Sequence, residues 1–257
     1  NRVTWAEVDY ETLVDSPIFA GLHARKWDLG NAISLNVVAD KPELLALPPE
    51  RLPALKAMGD EALLMFGSRH YDRYTFLVAL TDRMGGIGLD HHRSSENQLE
   101  PKNFIEWDKF DWDRNVLAHE LAHSWDGKFR RPADLLTPDF HTPTRNSLLW
   151  LYEGQTEYWG SILAVRSGLT TPEQLRDSLA RTIAYLDAAP GSRWRNLQDT
   201  TNEGTIGTRS GNKDWRNWQR AVDYYDEATL IWLDADMLIR ERSQGARSMD
   251  DFAHAFF

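Results

Sequence analysis

The chain has 257 residues, a formal net charge of −10 and no cysteine. A hydrophobic share of 42% is too high for a disordered chain, and the length suffices for one large domain or two lobes around a sizeable core. The negative charge argues against nucleic acid or an anionic membrane surface as a partner, no apolar run approaches the ~20 residues of a membrane helix, and any bound metal must rely on His, Asp or Glu.

Residues 1–30 mix aromatic and charged side chains without a clear period. The β-rich run Ala32 to Val38 reads as a strand. Pro48-Pro49-Glu50 opens a helical pattern in which Leu52, Leu55, Met58, Ala62 and Met65 share a face, and Gly67 closes it. Tyr74 to Thr81 is β-branched and aromatic with an apolar centre, the strongest strand candidate. It runs into Met84 to Ser95, where Gly85, Gly86 and Gly88 leave the backbone open to close approach. An extended peptide pairing with a sheet edge would use such a stretch; a plain glycine turn is the alternative. Asp90-His91-His92 would form a second metal site only if adjoining histidines faced one cation, which they rarely do.

The helix expected from Asp111 to Asp126 carries His119-Glu120-Leu121-Ala122-His123. Asp111 or Asp113 is suited to cap its start, and Gly127 followed by Pro132 to end it. Positions four apart on a helix share a face, about 6 Å apart along the axis. Both imidazoles therefore reach one cation, and Glu120 is placed to take a proton from water activated by that ion. Two histidines falling by chance on a solvated helix would look the same in these letters alone.

After a Pro-, Asp- and Thr-rich loop at 133–146, a helix beginning near Arg145 or Asn146 brings Glu153 and Glu157 onto one face among Trp150, Tyr152, Tyr158 and Trp159. A carboxylate buried there is costly unless it is paired or bound to a cation. Glu153 is thus the candidate third ligand, leaving an open position as hydrolytic zinc sites commonly do. Glu157, one turn on, is placed either to accept from a ligating imidazole or to stay in solvent. Thr171-Pro172-Glu173-Gln174 reads as a capped helix start running to about Asp187, and residues 199–214 as a polar surface loop. A long helix is expected from about Trp218 to Arg242, with Leu230, Leu233, Met237 and Leu238 apolar, and Ser248 caps a last one with Asp251 as its third residue. The chain stops inside this last helical pattern and starts without Met, so we expect a piece of a longer protein.

The run His119 to Pro132 together with Leu149 to Tyr158 resembles the M61 family of glycyl aminopeptidases, gluzincins related to the M1 aminopeptidases. The resemblance continues through Arg166 to Leu169, Pro190 to Arg193, Tyr224-Tyr225, Leu233-Asp234, Ile239-Arg240 and Arg247 to Asp251, about the last two-thirds of the chain. It implies an α+β, thermolysin-like metallopeptidase catalytic domain with a small mixed sheet and a mainly helical lobe. We divide the chain accordingly into a β/α sub-lobe, 1–108, with the substrate-binding strand and glycine-rich loop, and a helical zinc-binding lobe, 109–257. The resemblance implies one Zn2+ held by His119, His123 and Glu153, with Glu120 as general base and acid. A β-rich domain before this region and a PDZ domain after it are expected in the full-length protein.

Two carry-overs depart from the family's letters. Gly86-Ile-Gly88-Leu-Asp90-His91 stands where the family has a stretch ending in Glu-His, so Asp90 takes the place of the acid that holds a substrate's free amine. Tyr224-Tyr225-Asp-Glu-Ala228 replaces a segment with Lys and Gly after the tyrosines; there Tyr225 is assigned to the oxyanion, with core packing on a long helix as the alternative. The expected substrates are peptides with a free amino terminus and a small first residue, Gly or Ala. A zinc endopeptidase on the same scaffold and a non-catalytic peptide-binding zinc domain are the rival readings.

Overall fold

A computed structural model describes residues 4–110, 113–204, 220 and 222–257. Helix α1 (Tyr10–Val14) precedes strands β1 (His23–Gly30) and β2 (Ile33–Ala39), helix α2 (Leu52–Phe66), and strands β3 (Tyr74–Leu80), β4 (Gly88–Asp90) and β5 (Ser94–Leu99). Helices α3 (Asn115–Ala122), α4 (Leu149–Ser167), α5 (Pro172–Ala188), α6 (Leu197–Glu203), α7 (Asp223–Arg242) and α8 (Met249–Phe256) follow. Among the described residues no helix is long and apolar enough to cross a membrane.

The strands form one five-stranded mixed sheet in the order β1-β2-β3-β5-β4. β1 and β2 make a hairpin turning at Asn31 and Ala32, whose φ values of 51° and 61° suit a turn matched to strand twist. β2, β3 and β5 run parallel, while β4 lies antiparallel on β5 at the sheet's edge, with Gly88 opposite Asn97 and Asp90 opposite Ser95. The core lies between the sheet and the helices. Ile33, Leu35, Val37, Phe76, Val78 and Leu80 alternate inward from β2 and β3 and meet Leu55, Met58, Ala62 and Met65 of α2. Phe66 at the end of α2 stacks on Trp125 with ring centroids 4.4 Å apart, and Trp125 Nε1 donates to the Ser68 carbonyl at 3.1 Å. A stack of this kind adds roughly 0.5–1.5 kcal/mol beyond burial, and this one ties the turn after α3 to α2. From the sheet side, the Tyr74 hydroxyl donates to the Glu120 carbonyl at 3.0 Å in the buried core.

Several boundaries differ from the sequence expectation. The helix bearing the histidines is shorter than Asp111 to Asp126: α3 begins at Asn115, Arg114 stands at the cap position without a side-chain cap bond, and His123 is the C-terminal cap. Asp113 accepts instead from Asn103 at 3.5 Å. The helix expected from about residue 145 starts at Leu149 because Asn146 takes a left-handed backbone, φ 55°. The 199–214 segment starts as helix α6, with Asn196 capping it by accepting from the Asp199 N–H at 2.8 Å. Of the long helix, the described part begins at Asp223. Asp111, residues 205–214 and the expected start at Trp218 lie outside the described residues. The capping boxes at Thr171 with Gln174 and at Ser248 with Asp251 form as expected, and Gly67 ends α2 in the left-handed conformation, φ 64°.

Candidate active site

α3 and α4 cross closely because glycine removes the side chain at the contact. A Cβ at Gly160 would lie 2.9 Å from both Cα and N of His119, and a Cβ at Gly154 would overlap that of Ala228 on α7. Glycine inside a helix costs about 1 kcal/mol relative to alanine. Here it lets α4 lie between α3 and α7, which brings Glu153 and Glu157 over the histidines.

The result is a buried convergence. His119 Nε2 and His123 Nε2 lie 3.1 Å apart, and Glu153 Oε2 is 3.4 Å from the first and 3.5 Å from the second. The far nitrogens decide the tautomers. His119 Nδ1 faces Glu157 Oε2 at 2.9 Å, and His123 Nδ1 faces the Asp126 carbonyl at 2.9 Å. Each partner only accepts, so each Nδ1 carries the proton and, in the neutral ring, each Nε2 turns a lone pair inward. Glu153 Oε2 is buried without a hydrogen-bond partner. With both rings neutral, three acceptors point at one spot and repel unless a cation, whether protons on the rings or a metal ion, holds them together. The donor set of two imidazoles and a carboxylate fits a divalent ion of the zinc class.

The charges respond to this crowding. Burial opposes ionisation of Glu153, yet the two imidazoles hold its carboxyl well below the usual carboxylate range. Burial also opposes protonation of His123, but the Asp90 charge and the contact with Glu153 push it up to about 9; Glu153 and Glu157 drive His119 upward in the same way. Glu120 is pushed up to about 7, chiefly by burial, against the lowering pull of the histidines. A carboxylate titrating there is suited to exchange protons near neutrality.

The remaining predicted residues sit around this centre. Gly88 on β4 faces Glu120 so closely that a Cβ there would lie 2.6 Å from Oε1. Gly86, φ 70°, donates its N–H to the Gln98 side chain at the entry to that strand. Asp90 ends the strand, with ligand-capable atoms of Asp90, Glu120 and His123 all within 4.8 Å of one another. Its neighbours His91 and His92 turn away to Asp15, at 2.9 and 2.7 Å. Tyr225 lies on α7, half-buried, with its ring 6.2 Å from that of His119. Glu157 also accepts from Asn115 Nδ2 at 2.7 Å.

Sequence reasoning did not single out Asp126, Thr156, Tyr152 or Lys128. Asp126 is buried and pushed up to about 8, first by burial, and the Thr156 hydroxyl donates to it at 3.2 Å. Tyr152 packs its ring 4.6 Å from that of His123. Tyr152 and Thr156 lie one turn apart on α4, one on each side of Glu153, which was the available signal.

Residues 112–231 match the family model for the M61 glycyl aminopeptidases. The match covers 120 of the 257 residues (231 − 112 + 1), a little under half of the chain. Among solved structures, the chain is similar to an aminopeptidase N family protein from Idiomarina loihiensis, with a TM-score of 0.75 and 21% identity over 90% of this chain and 39% of that one. Native yeast LTA4 hydrolase matches with a TM-score of 0.52 and 16% identity over 91% of this chain and 32% of that one. The chain therefore shares the fold of the matched part of these structures, and it spans well under half the length of either. No curated protein matches it in sequence.

Proposed function

We propose that the chain is the catalytic domain of a zinc aminopeptidase that removes small N-terminal residues, glycine and alanine first, from peptides. The observation that carries this reading is the buried meeting of His119 Nε2, His123 Nε2 and Glu153 Oε2, two imidazoles and a carboxylate converging on one point. These three residues would hold one zinc ion. Bound there, zinc supplies Lewis acidity, which lowers the pKa of a water and polarises a peptide carbonyl.

The chain's own groups do the rest. Glu120 accepts a proton from the attacking water and returns it to the leaving amine. Glu157 fixes the His119 tautomer from the far side of the ring. Tyr225 is assigned to donate to the developing oxyanion, supported by its place beside His119. Asp90 receives the substrate's ammonium. The backbone through Gly86 and Gly88 pairs with the extended peptide, which the open edge of β4 over Glu120 supports. The preference for a small first residue rests on the family's description as glycyl aminopeptidases. In the full-length protein we expect a β-rich domain before this region and a PDZ domain after it.

Metal analysis combined with hydrolysis of glycyl and alanyl amides tests the reading. One zinc per chain, loss of turnover on chelation, and no cleavage of the N-acetylated substrates are expected. Equal cleavage of acetylated substrates would make the protein an endopeptidase. Stoichiometric zinc without turnover would make it a peptide-binding domain.

A further inference from the structure

The acid assigned to the substrate's amine already has an ammonium beside it. Lys128 Nζ lies 3.1 Å from Asp90 Oδ2, and the two side chains are only 12% and 14% exposed. The Tyr152 hydroxyl donates to the same oxygen at 3.3 Å. Among the described residues no donor reaches Oδ1.

The lysine is not a loose surface chain that folded in. Its own N–H is bonded to the His123 carbonyl at 2.9 Å, and the Gly127 N–H before it to the Arg130 carbonyl at 2.6 Å. Gly127 has φ 142°, and a Cβ there would meet the Tyr152 hydroxyl at 2.7 Å. The turn that ends the histidine helix therefore delivers Lys128 to Asp90 and packs against Tyr152. A buried ion pair is costly unless its geometry is good and its remaining valences are met, so a long side chain held here points to a task at Asp90.

We propose that Lys128, with Tyr152, is a positioning residue for amine recognition: the two donors anchor Asp90 Oδ2, so that Oδ1 alone is offered to the ammonium of an incoming substrate. This rests on the reading of Asp90 as the amine acceptor. A carboxylate fixed at one oxygen presents the other in a single direction at little entropic cost. Lys128 also offsets the Asp90 charge in a cluster that already contains Glu120 and Glu153.

Binding of glycinamide against propanamide, its isostere without the amine, isolates recognition from turnover. In the zinc-loaded protein, Lys128→Met should lower the preference for glycinamide by about tenfold, the scale of one charge-assisted hydrogen bond. Lys128→Arg should retain it. An unchanged preference in Lys128→Met, with the preference abolished in Asp90→Asn, overturns the role of Lys128 and keeps that of Asp90. An unchanged preference in Asp90→Asn overturns both. A crystal of the unaltered protein with glycinamide decides even if Lys128→Met does not fold. The amine on Oδ1 with Lys128 still on Oδ2 is the expected result; displacement of Lys128 by the amine, or an amine bound away from Asp90, overturns the proposal.

Discussion

Glu157 Oε2 lies 2.9 Å from His119 Nδ1, while Oε1 of the same carboxylate accepts from Asn115 Nδ2 at 2.7 Å. With both oxygens engaged, the carboxylate sets the ring's orientation and which nitrogen keeps the proton. Losing such an outer partner typically weakens metal binding by ~10–100-fold. Glu157→Ala should show a loss of that size in competition with a chromophoric chelator, and Glu157→Gln a smaller one. Unaltered affinity in Glu157→Ala would mean that the ring is held by packing alone.

Glu120 Oε1 faces Gly88 on the strand where substrate is expected. Glu120→Gln should keep zinc at full stoichiometry and lose about 10²–10⁴-fold in turnover, the usual range for a general acid and base. Gly88→Ala addresses the same carboxylate from the other side, since the new Cβ would press on Oε1. It should also reduce turnover while leaving zinc in place. A fully active Glu120→Gln enzyme would remove Glu120 from the chemistry.

Gly160→Ala separates packing from propensity by the sign of its effect. In a free helix, alanine is better than glycine by about 1 kcal/mol. Here the added methyl meets backbone atoms of His119, which cannot rotate aside. α4 must move off α3 and carry Glu153 with it. We expect a net loss of about 1–3 kcal/mol in urea unfolding, as for other overpacked sites, together with weaker zinc binding. A gain in stability would show that the helices have room to spare.

The parts of this site that could be read from the letters are those fixed by local spacing. His119, Glu120 and His123 share a short helix, and Glu153 with Glu157 share another, so each pair's geometry follows from helical pitch. The crossing of those helices is not local. It depends on Gly160 and Gly154, which in sequence look only like weak points of a helix. β5 was hidden for a related reason. Ser94–Leu99 reads as polar, yet Ser95 and Asn97 are fully buried and satisfied in part by each other, with Asn97 Nδ2 donating to Ser95 Oγ at 2.9 Å. β1 carries charges on its exposed face and buries mainly Trp27 and Leu29, too few to show a period. Lys128 stood in the run that resembles the family, but its partner lies 38 residues earlier (128 − 90) and meets it only because β4 borders α3.

Proton competition should govern zinc binding. His123 is pushed up to about 9, burial being outweighed by the charge of Asp90 and the contact with Glu153, and His119 is driven upward by Glu153 and Glu157. Zinc binds the neutral imidazoles, so it must displace those protons. Affinity should therefore rise as pH increases towards about 9, with proton release measurable by calorimetry in buffers of different ionisation enthalpy. Binding without proton release at neutral pH would show that the histidines are already neutral.

The segment around α1 is fastened by a second group of titrating side chains, and its hold should depend on pH. Asp15 accepts from the His92 N–H at 2.8 Å and faces His91 Nδ1 at 2.9 Å and His92 Nδ1 at 2.7 Å; His91 Nε2 is 3.4 Å from Glu96. Burial pushes Asp15 up, but these partners win and hold it below the usual carboxylate range. Its contribution is present above the ordinary value of ~4 and is lost as pH falls through the depressed folded value. For His91, burial pulls down and the two carboxylates push up more strongly, so it is raised. Its contribution is complete below the ordinary ~6.5 and is lost as pH rises through the raised folded value. The fastening is thus strongest between ~4 and ~6.5 and weakens in alkali. Hydrogen exchange of residues 10–18, corrected for intrinsic rates, should show greater protection at about pH 5.5 than at about pH 9, and Asp15→Asn should abolish the difference. Equal protection at both values, or a difference that survives Asp15→Asn, would show that apolar contacts and not this cluster hold the segment.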